Sequence, residues 1–197
     1  MRQLSDREYK VVEFITEQHG LQRRKYSGEP YVEHCIEVAE LVYKYTESEM
    51  LWIIAMCHDL LEDTECTRYT LRSFLLTLGF QDIALSNQIV SGVIDLTDEY
   101  TSENYPDKNR EERKKAEAKH IGTKVHYIHT IKYADIISNT RSIVAYDSKF
   151  ALTYLPEKVQ LLHYMRKGDI NLYIQACAEV YEGLRSLGLL ENYKFSV

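Results

Sequence analysis

Prolines and glycines are scarce in this chain, three and eight among 197 residues. They are the strongest local breakers of regular structure, so few segments are forced to turn. The four cysteines, Cys35, Cys57, Cys66 and Cys177, are scattered and form no CxxC pair. That argues against a disulfide framework and fits reduced thiols in a cytoplasm. Long apolar runs are missing too: the longest is "LWIIAMC", well short of the ~18 residues that a membrane span requires. The amino-terminal "MRQLSDREYK" is polar and lacks the apolar stretch of a signal peptide. A cytoplasmic chain without membrane partners is therefore expected. A basic excess is also lacking, with 24 Lys and Arg against 30 Asp and Glu and a net charge of −6. This argues against general nucleic-acid binding but leaves room for a local basic pocket that takes a small anion.

What is present is an ordinary globular composition, 45% hydrophobic and 27% charged. A chain of this size buries roughly 70% of the surface that its unfolded form exposes. Apolar residues recur at the helical spacing i, i+3, i+4, i+7. The first helix is expected over Asp6–His19, with Val11, Val12, Phe14 and Ile15 inward and Gly20 as the stop. "QRRKYSGEP" is a loop, and Pro30 suits the first turn of the helix that carries His34. A third helix is expected from about Ser48 through Asp63, and "YTLRSFLLTLGF" and "DIALSNQIVSGVIDLT" supply two more. "DEYTSENYPDKNREERKKAEAKH" begins as a loop and becomes a charged helix from about Asp107. Two further helices are expected near Thr123–Tyr146 and Ile170–Leu187. No segment alternates like a strand, and there is no repeat or linker. One all-α domain over residues 1–197 follows.

The segment "HDLLEDT" places His58, Asp59, Glu62 and Asp63 directly after the apolar run. On a continuous helix His58 aligns with Glu62 and Asp59 with Asp63. Neighbouring residues differ by about 100° around the axis, so His58 and Asp59 converge only on a ligand lying between their directions. An imidazole and a carboxylate can hold a metal, which lowers the pKa of bound water. The two carboxylates one turn on can then orient that water or shuttle its proton. Alone, the segment reads more readily as a solvated helix end, because His-Asp dipeptides are common by chance. His34, on the preceding helix, and Asp135, between Ile131, Ala134, Ile136 and Ile137, alter the balance. A buried carboxylate is costly unless paired or bound to a cation. Two histidines and two aspartates from three helices make an octahedral half-site with positions left for water and phosphate.

"HDLLEDT", an upstream His and the downstream "KYADIISNTR" together resemble the HD superfamily of metal phosphohydrolases. The closest resemblance is to its RelA/SpoT-type branch and, within that, to single-domain small alarmone hydrolases. It extends from "HGLQRRKYSGEPYVEHCIEVAEL" to "ALTYLPEKVQLL". It implies a compact HD-type helical bundle with metal ligands His34, His58, Asp59 and Asp135, usually holding manganese. It implies Glu62 and Asp63 as catalytic carboxylates acting on the attacking water. Arg24 and Lys25 match a basic pair over the nucleotide base and its phosphates, Asn139 a nucleotide-contacting Asn, and Ser142 a position where many relatives carry Thr. The implied reaction removes the 3′-pyrophosphate of guanosine tetra- or pentaphosphate, giving GDP or GTP and pyrophosphate. No synthetase or regulatory region follows before Val197, so alarmone synthesis is not expected of this polypeptide.

The chain departs from the family at Ile136, where Arg is frequent, and at Ser138, where His or Asp is frequent. Two alternatives therefore stay open. One is the same chemistry on a dNTP, a nucleoside monophosphate or the ribose phosphate of NADPH. The other is a non-catalytic HD domain that binds a nucleotide or protein as a sensor. In "KNREERKKAEAK", Arg110, Arg113 and Lys114 share one helical face and one of them can reach a substrate, although a solvated helix with Glu–Lys pairs explains the same pattern. His126 and His129 have a spacing compatible with a second metal site but lack a third ligand, and Cys35 and Cys57 suit small core positions.

Overall fold

The computed structural model describes residues 2–80 and 83–192. Its helices are α1 Asp6–His19, α2 Val32–Thr46, α3 Glu49–Met56, α4 Leu60–Asp63, α5 Arg68–Thr77, α6 Ile83–Leu96, α7 Arg110–Thr123, α8 His126–Tyr146, α9 Ser148–Tyr164 and α10 Ile170–Ser186, followed by a 3₁₀ turn at Leu190–Asn192. Among the described residues there is no strand, only an isolated antiparallel bridge between Arg23 and Pro30. The all-α architecture is as expected. No helix of the described residues is long and apolar enough to cross a membrane. The chain groups into two compact units, Met1–Asp98 and Glu99–Val197.

In the first unit, α1 has the bounds that its sequence signals gave. Ser5 accepts from the Glu8 N–H at 3.2 Å while the Glu8 carboxylate accepts from the Ser5 N–H at 2.7 Å. This reciprocal box satisfies two donors that a helix start leaves open. Gly20 ends the helix at φ 52°, a conformation that other residues adopt with strain. Helix α3 is apolar on every side: Trp52, Ile53, Ile54, Ala55 and Met56 are all fully buried. A helix of that kind belongs in a core rather than on a surface. Gly92 of α6 lets Ile54 approach, since a Cβ there would meet its Cδ1 at 2.9 Å.

The expected helix from Ser48 to Asp63 is two helices. Residues 57–59 form a turn between α3 and α4. Cys57 (φ −95°, ψ 4°) and Asp59 (φ −97°, ψ −1°) adopt the bridge conformation, a frequent setting for active-site residues. In a continuous helix the Ala55 carbonyl would accept from Asp59. Here it accepts from the His58 N–H at 3.3 Å and from the His58 ring Nδ1–H at 2.7 Å. Competition of a side chain for a helical carbonyl is the physical cause of the break.

In the second unit, α7 begins with a box between Asn109 and Glu112, and α10 with Asp169, whose carboxylate accepts from Asn171 and Leu172. Helix α9 lies where no helix was expected. It contains Pro156, which removes one backbone hydrogen bond and normally disfavours a helix interior. Burial of Ala151, Tyr154, Leu155 and Leu162 along one face outweighs that local cost. Helix α8 is buried over most of its length, with Ile131, Tyr133, Ala134, Ile136 and Ile137 fully enclosed.

Candidate metal centre and flanking residues

His34 projects from the first turns of α2, while His58 and Asp59 lie in the turn after α3. Both imidazoles are 1% exposed. Asp59 Oδ2 lies 2.9 Å from His58 Nε2 and 3.6 Å from His34 Nε2. One donor atom from each of the three residues falls within 4.8 Å of the others, a spacing that could hold a metal ion. Among the described residues no other group of three such side chains does so.

The donor chemistry fits a cation. A carbonyl oxygen can only accept, so His58 Nδ1 carries its proton toward Ala55. In the neutral ring this leaves the Nε2 lone pair facing a carboxylate oxygen at 2.9 Å. Two lone pairs at that distance repel unless a positive charge lies between them or the ring is protonated. Orientation of a ligating imidazole through its second nitrogen is the usual arrangement at protein metal sites. Burial works to raise the Asp59 pKa. In their protonated form the adjacent His58 ring first, and then His34, outweigh it and hold the carboxyl well below the usual carboxylate range, as a cation bound at the same place would.

Tyr31 is a site residue that the sequence did not single out. Its hydroxyl donates to Asp59 Oδ2 at 2.6 Å, and its ring packs edge-on to His34 with centroids 5.6 Å apart. Nothing local distinguishes it from the other fifteen of the chain's sixteen tyrosines.

The remaining expected residues are placed as follows. Glu62 is exposed on α4, and its Oε1 accepts from the Asp98 N–H at 2.5 Å. Asp63, also exposed, accepts from Gln22 Nε2 at 3.2 Å. Arg24 and Lys25 lie in the loop between α1 and α2. That loop folds back on itself: the Tyr31 N–H donates to Gln22 at 3.0 Å and the Arg24 N–H to Glu29 at 2.9 Å. Arg24 forms an ion pair with Glu37 at 3.3 Å, and Lys25 donates to the Tyr26 hydroxyl at 3.1 Å.

Three of the four expected metal ligands thus lie in the first unit and converge. The fourth, Asp135, belongs to α8 in the second unit, where its Oδ1 accepts from Asn139 Nδ2 at 2.6 Å. Ser142 is half-buried one turn further along α8. Tyr154 of α9 is buried near Asp135. Burial first, and then the Asp135 carboxylate, push its phenol far above its ordinary value. Ile136 and Ser138 are both buried.

Arg110 pairs with Glu157 of α9 at 2.7 Å, and Arg113 donates to the Lys108 carbonyl. His129 is a satisfied core histidine: Nε2 faces the Ile121 carbonyl at 2.9 Å and Nδ1 accepts the Lys167 N–H at 3.1 Å. No disulfide joins any of the four cysteines, and Cys35 and Cys57 are buried as expected.

No family model matches the chain. Over 58 residues, 29% of its length, it is 41% identical to the guanosine-3′,5′-bis(diphosphate) 3′-pyrophosphohydrolase of Aquifex aeolicus, and the match spans 8% of that protein. The chain is similar to a solved structure of a metazoan ortholog of SpoT, described as hydrolyzing ppGpp and playing a role in starvation responses. The TM-score is 0.75 at 20% identity, with 96% of this chain and 100% of that one covered. At that identity the likeness is one of fold, and the chain shares its helical architecture with that protein.

Proposed function

We propose that the chain is a metal-dependent phosphohydrolase that removes the 3′-pyrophosphate of guanosine tetra- and pentaphosphate, releasing GDP or GTP and pyrophosphate. The observation that carries this reading is the convergence of His34, His58 and Asp59 on one point, with the Nε2 of His58 turned to it by the Ala55 carbonyl. The named activities of the Aquifex protein and of the metazoan structure support the choice of substrate. In this proposal Asp135 is the fourth ligand, manganese is the ion, and residues 1–197 act as one catalytic body in the cytoplasm. The ion supplies Lewis acidity toward a phosphoryl oxygen and lowers the pKa of water.

The chain's own residues do the rest. Glu62 and Asp63 accept the proton of the attacking water and orient it. The hydroxyl of that water becomes bonded to phosphorus as the ester bond to the 3′-oxygen breaks. The proton finally resides on that oxygen. Arg24 and Lys25 neutralise the substrate's phosphates, and Asn139 and Ser142 hydrogen-bond to the nucleotide. The departures from the resembled family at Ile136 and Ser138 keep open a second reading, in which the same chemistry acts on a different nucleotide such as a dNTP or NADPH.

The test is hydrolysis of guanosine tetraphosphate with manganese, followed by pyrophosphate release, alongside a panel of other nucleotides. Pyrophosphate release by the wild type, lost in His34→Ala and Asp135→Ala together with bound metal, is the expected result. Consumption of another nucleotide instead would transfer the mechanism to that substrate. Absence of metal-dependent turnover on every nucleotide would leave a binding domain.

A further inference from the structure

His19, Gln22 and Cys35 form a hydrogen-bonded chain that ends on Asp63, and its polarity follows from chemistry alone. The Asp63 carboxylate can only accept, so the Gln22 atom facing Oδ2 at 3.2 Å is its amide nitrogen. The other Gln22 atom is therefore its carbonyl oxygen, which lies 2.8 Å from His19 Nδ1. That oxygen also only accepts, so His19 carries its proton on Nδ1. His19 Nε2 is left with its lone pair, directed to the Cys35 thiol at 3.9 Å. Each partner fixes the next.

His19 is also the point from which a second arm leaves. The residue is 6% exposed, and its ring stacks on Tyr31 with centroids 4.8 Å apart and planes 28° apart. Tyr31 in turn donates to Asp59. The backbone ties the same residues together: Gln22 donates to the His19 carbonyl at 2.9 Å and accepts from Tyr31 at 3.0 Å. Asp63 itself is exposed, at the end of a helix of four residues, and has little packing of its own to hold it.

We propose that His19 and Gln22 are positioning residues that hold the Asp63 carboxylate in its working orientation through the Nδ1–H tautomer of His19. This rests on the reading of Asp63 as a water-handling carboxylate. A pure packing role for His19 would need only a flat ring against Tyr31. The hydrogen-bonded chain requires a donor at the Nδ1 position and a carbonyl plus an amide in Gln22. The two roles therefore separate by substitution. Asn places its amide nitrogen near the position of a histidine Nδ1 and keeps the donor while losing the stack. Phe keeps the stack and loses the donor.

The experiment has two arms. Long-range proton–nitrogen NMR of histidine rings in the metal-free wild type should show His19 in the Nδ1–H form, and Gln22→Ala should lose that preference. A wild-type His19 in the Nε2–H form overturns the proposal, with no need for substrate or for any variant to fold. In the second arm, steady-state hydrolysis of guanosine tetraphosphate with manganese is measured. Gln22→Ala and His19→Phe should each lower kcat about 10- to 100-fold, the scale of a misplaced catalytic group. KM and bound manganese should be unchanged, and the double variant should lose no more than either single one. His19→Asn should recover most of the loss. Equal kcat in His19→Phe and wild type, or no recovery in His19→Asn, overturns the proposal. If the wild type hydrolyses no guanosine tetraphosphate, the proposed reaction fails on its own, and the tautomer measurement still decides the network.

Discussion

Replacing Tyr31 with Phe deletes one atom from the candidate metal centre and leaves the ring in place. The lost hydroxyl donates at 2.6 Å to Asp59 Oδ2, the oxygen that also faces His58 and His34. A hydrogen bond to a charged group contributes about 1.5–3 kcal/mol. Part of that is present with and without metal and cancels in the affinity. What does not cancel is aim. Without the hydroxyl, Asp59 can distribute over the three staggered χ1 wells, and only one presents its oxygen to both imidazoles. Equal population of the wells costs a factor of about three in affinity. Full loss of the hydrogen bond's differential would approach the 10- to 100-fold reported generally for residues that orient metal ligands. We expect manganese to bind about 10-fold more weakly to Tyr31→Phe, measured by calorimetry or chelator competition. Circular dichroism in the presence of EDTA should match the wild type, while the thermal midpoint there should fall by about 2–4 °C for each kcal/mol of the hydrogen bond that is present without metal. Equal manganese affinity in the two proteins would refute the idea that Tyr31 orients Asp59. A larger loss, equal to that of Asp59→Ala, would mean that the substitution disorders the turn itself.

Three further outcomes are expected. Glu62→Gln keeps a carbonyl oxygen for the Asp98 N–H, so the fold and metal content should persist while kcat for guanosine tetraphosphate falls about 10²- to 10⁴-fold; an unchanged kcat would remove Glu62 from catalysis. Arg24→Ala should mainly raise KM with little change in kcat, because a charge that holds the substrate acts in ground and transition states alike; initial-rate kinetics check this. Burial works to raise the Glu8 pKa, and the Arg2 guanidinium with the Ser5 N–H overcomes it and lowers the value below the ordinary 4.5. A lowered folded-state value means that this stabilisation is present above pH 4.5 and is lost as pH falls through the folded value. Arg2→Met, by removing the main partner of a carboxylate that is 2% exposed, should cost about 1–3 kcal/mol at pH 7. Its thermal midpoint should also fall less steeply than that of the wild type on acidification below that pH; parallel slopes would contradict the pairing.

Much of this molecule was legible without coordinates because the signals are local. The bounds of α1 follow from Ser5, Glu8 and Gly20, which satisfy or terminate a helix through their own side chains and backbone. The candidate ligands His34, His58 and Asp59 stand out through the resemblance of "HDLLEDT" and its flanking segments to a known family, whereas a bare His-Asp pair is common by chance. Helix α9 was hidden because Pro156 is a strong local signal, whereas the burial of Tyr154, Leu155 and Leu162 that overrides it depends on partners distant in the chain. Tyr31, His19 and Gln22 were hidden for a related reason. A tyrosine before a helix and a glutamine in a basic loop carry no mark of what their polar atoms will meet after folding.

The turn at residues 57–59 joins the two kinds of information. A continuous helix separates neighbouring side chains by about 100°, so His58 and Asp59 on such a helix would diverge and need a ligand to bring them together. With the helix broken, they already approach to 2.9 Å. The break has no proline or glycine to announce it, because "AMCHDLLED" contains neither. It comes from the His58 ring itself, which takes the Ala55 carbonyl that the helix would have used. The same hydrogen bond sets the tautomer that turns Nε2 toward Asp59. One contact therefore ends α3, brings the two side chains together and prepares the nitrogen for a cation. A residue type that lacks an Nδ1 donor, even one that binds metals as well as histidine does, would lose all three consequences at once.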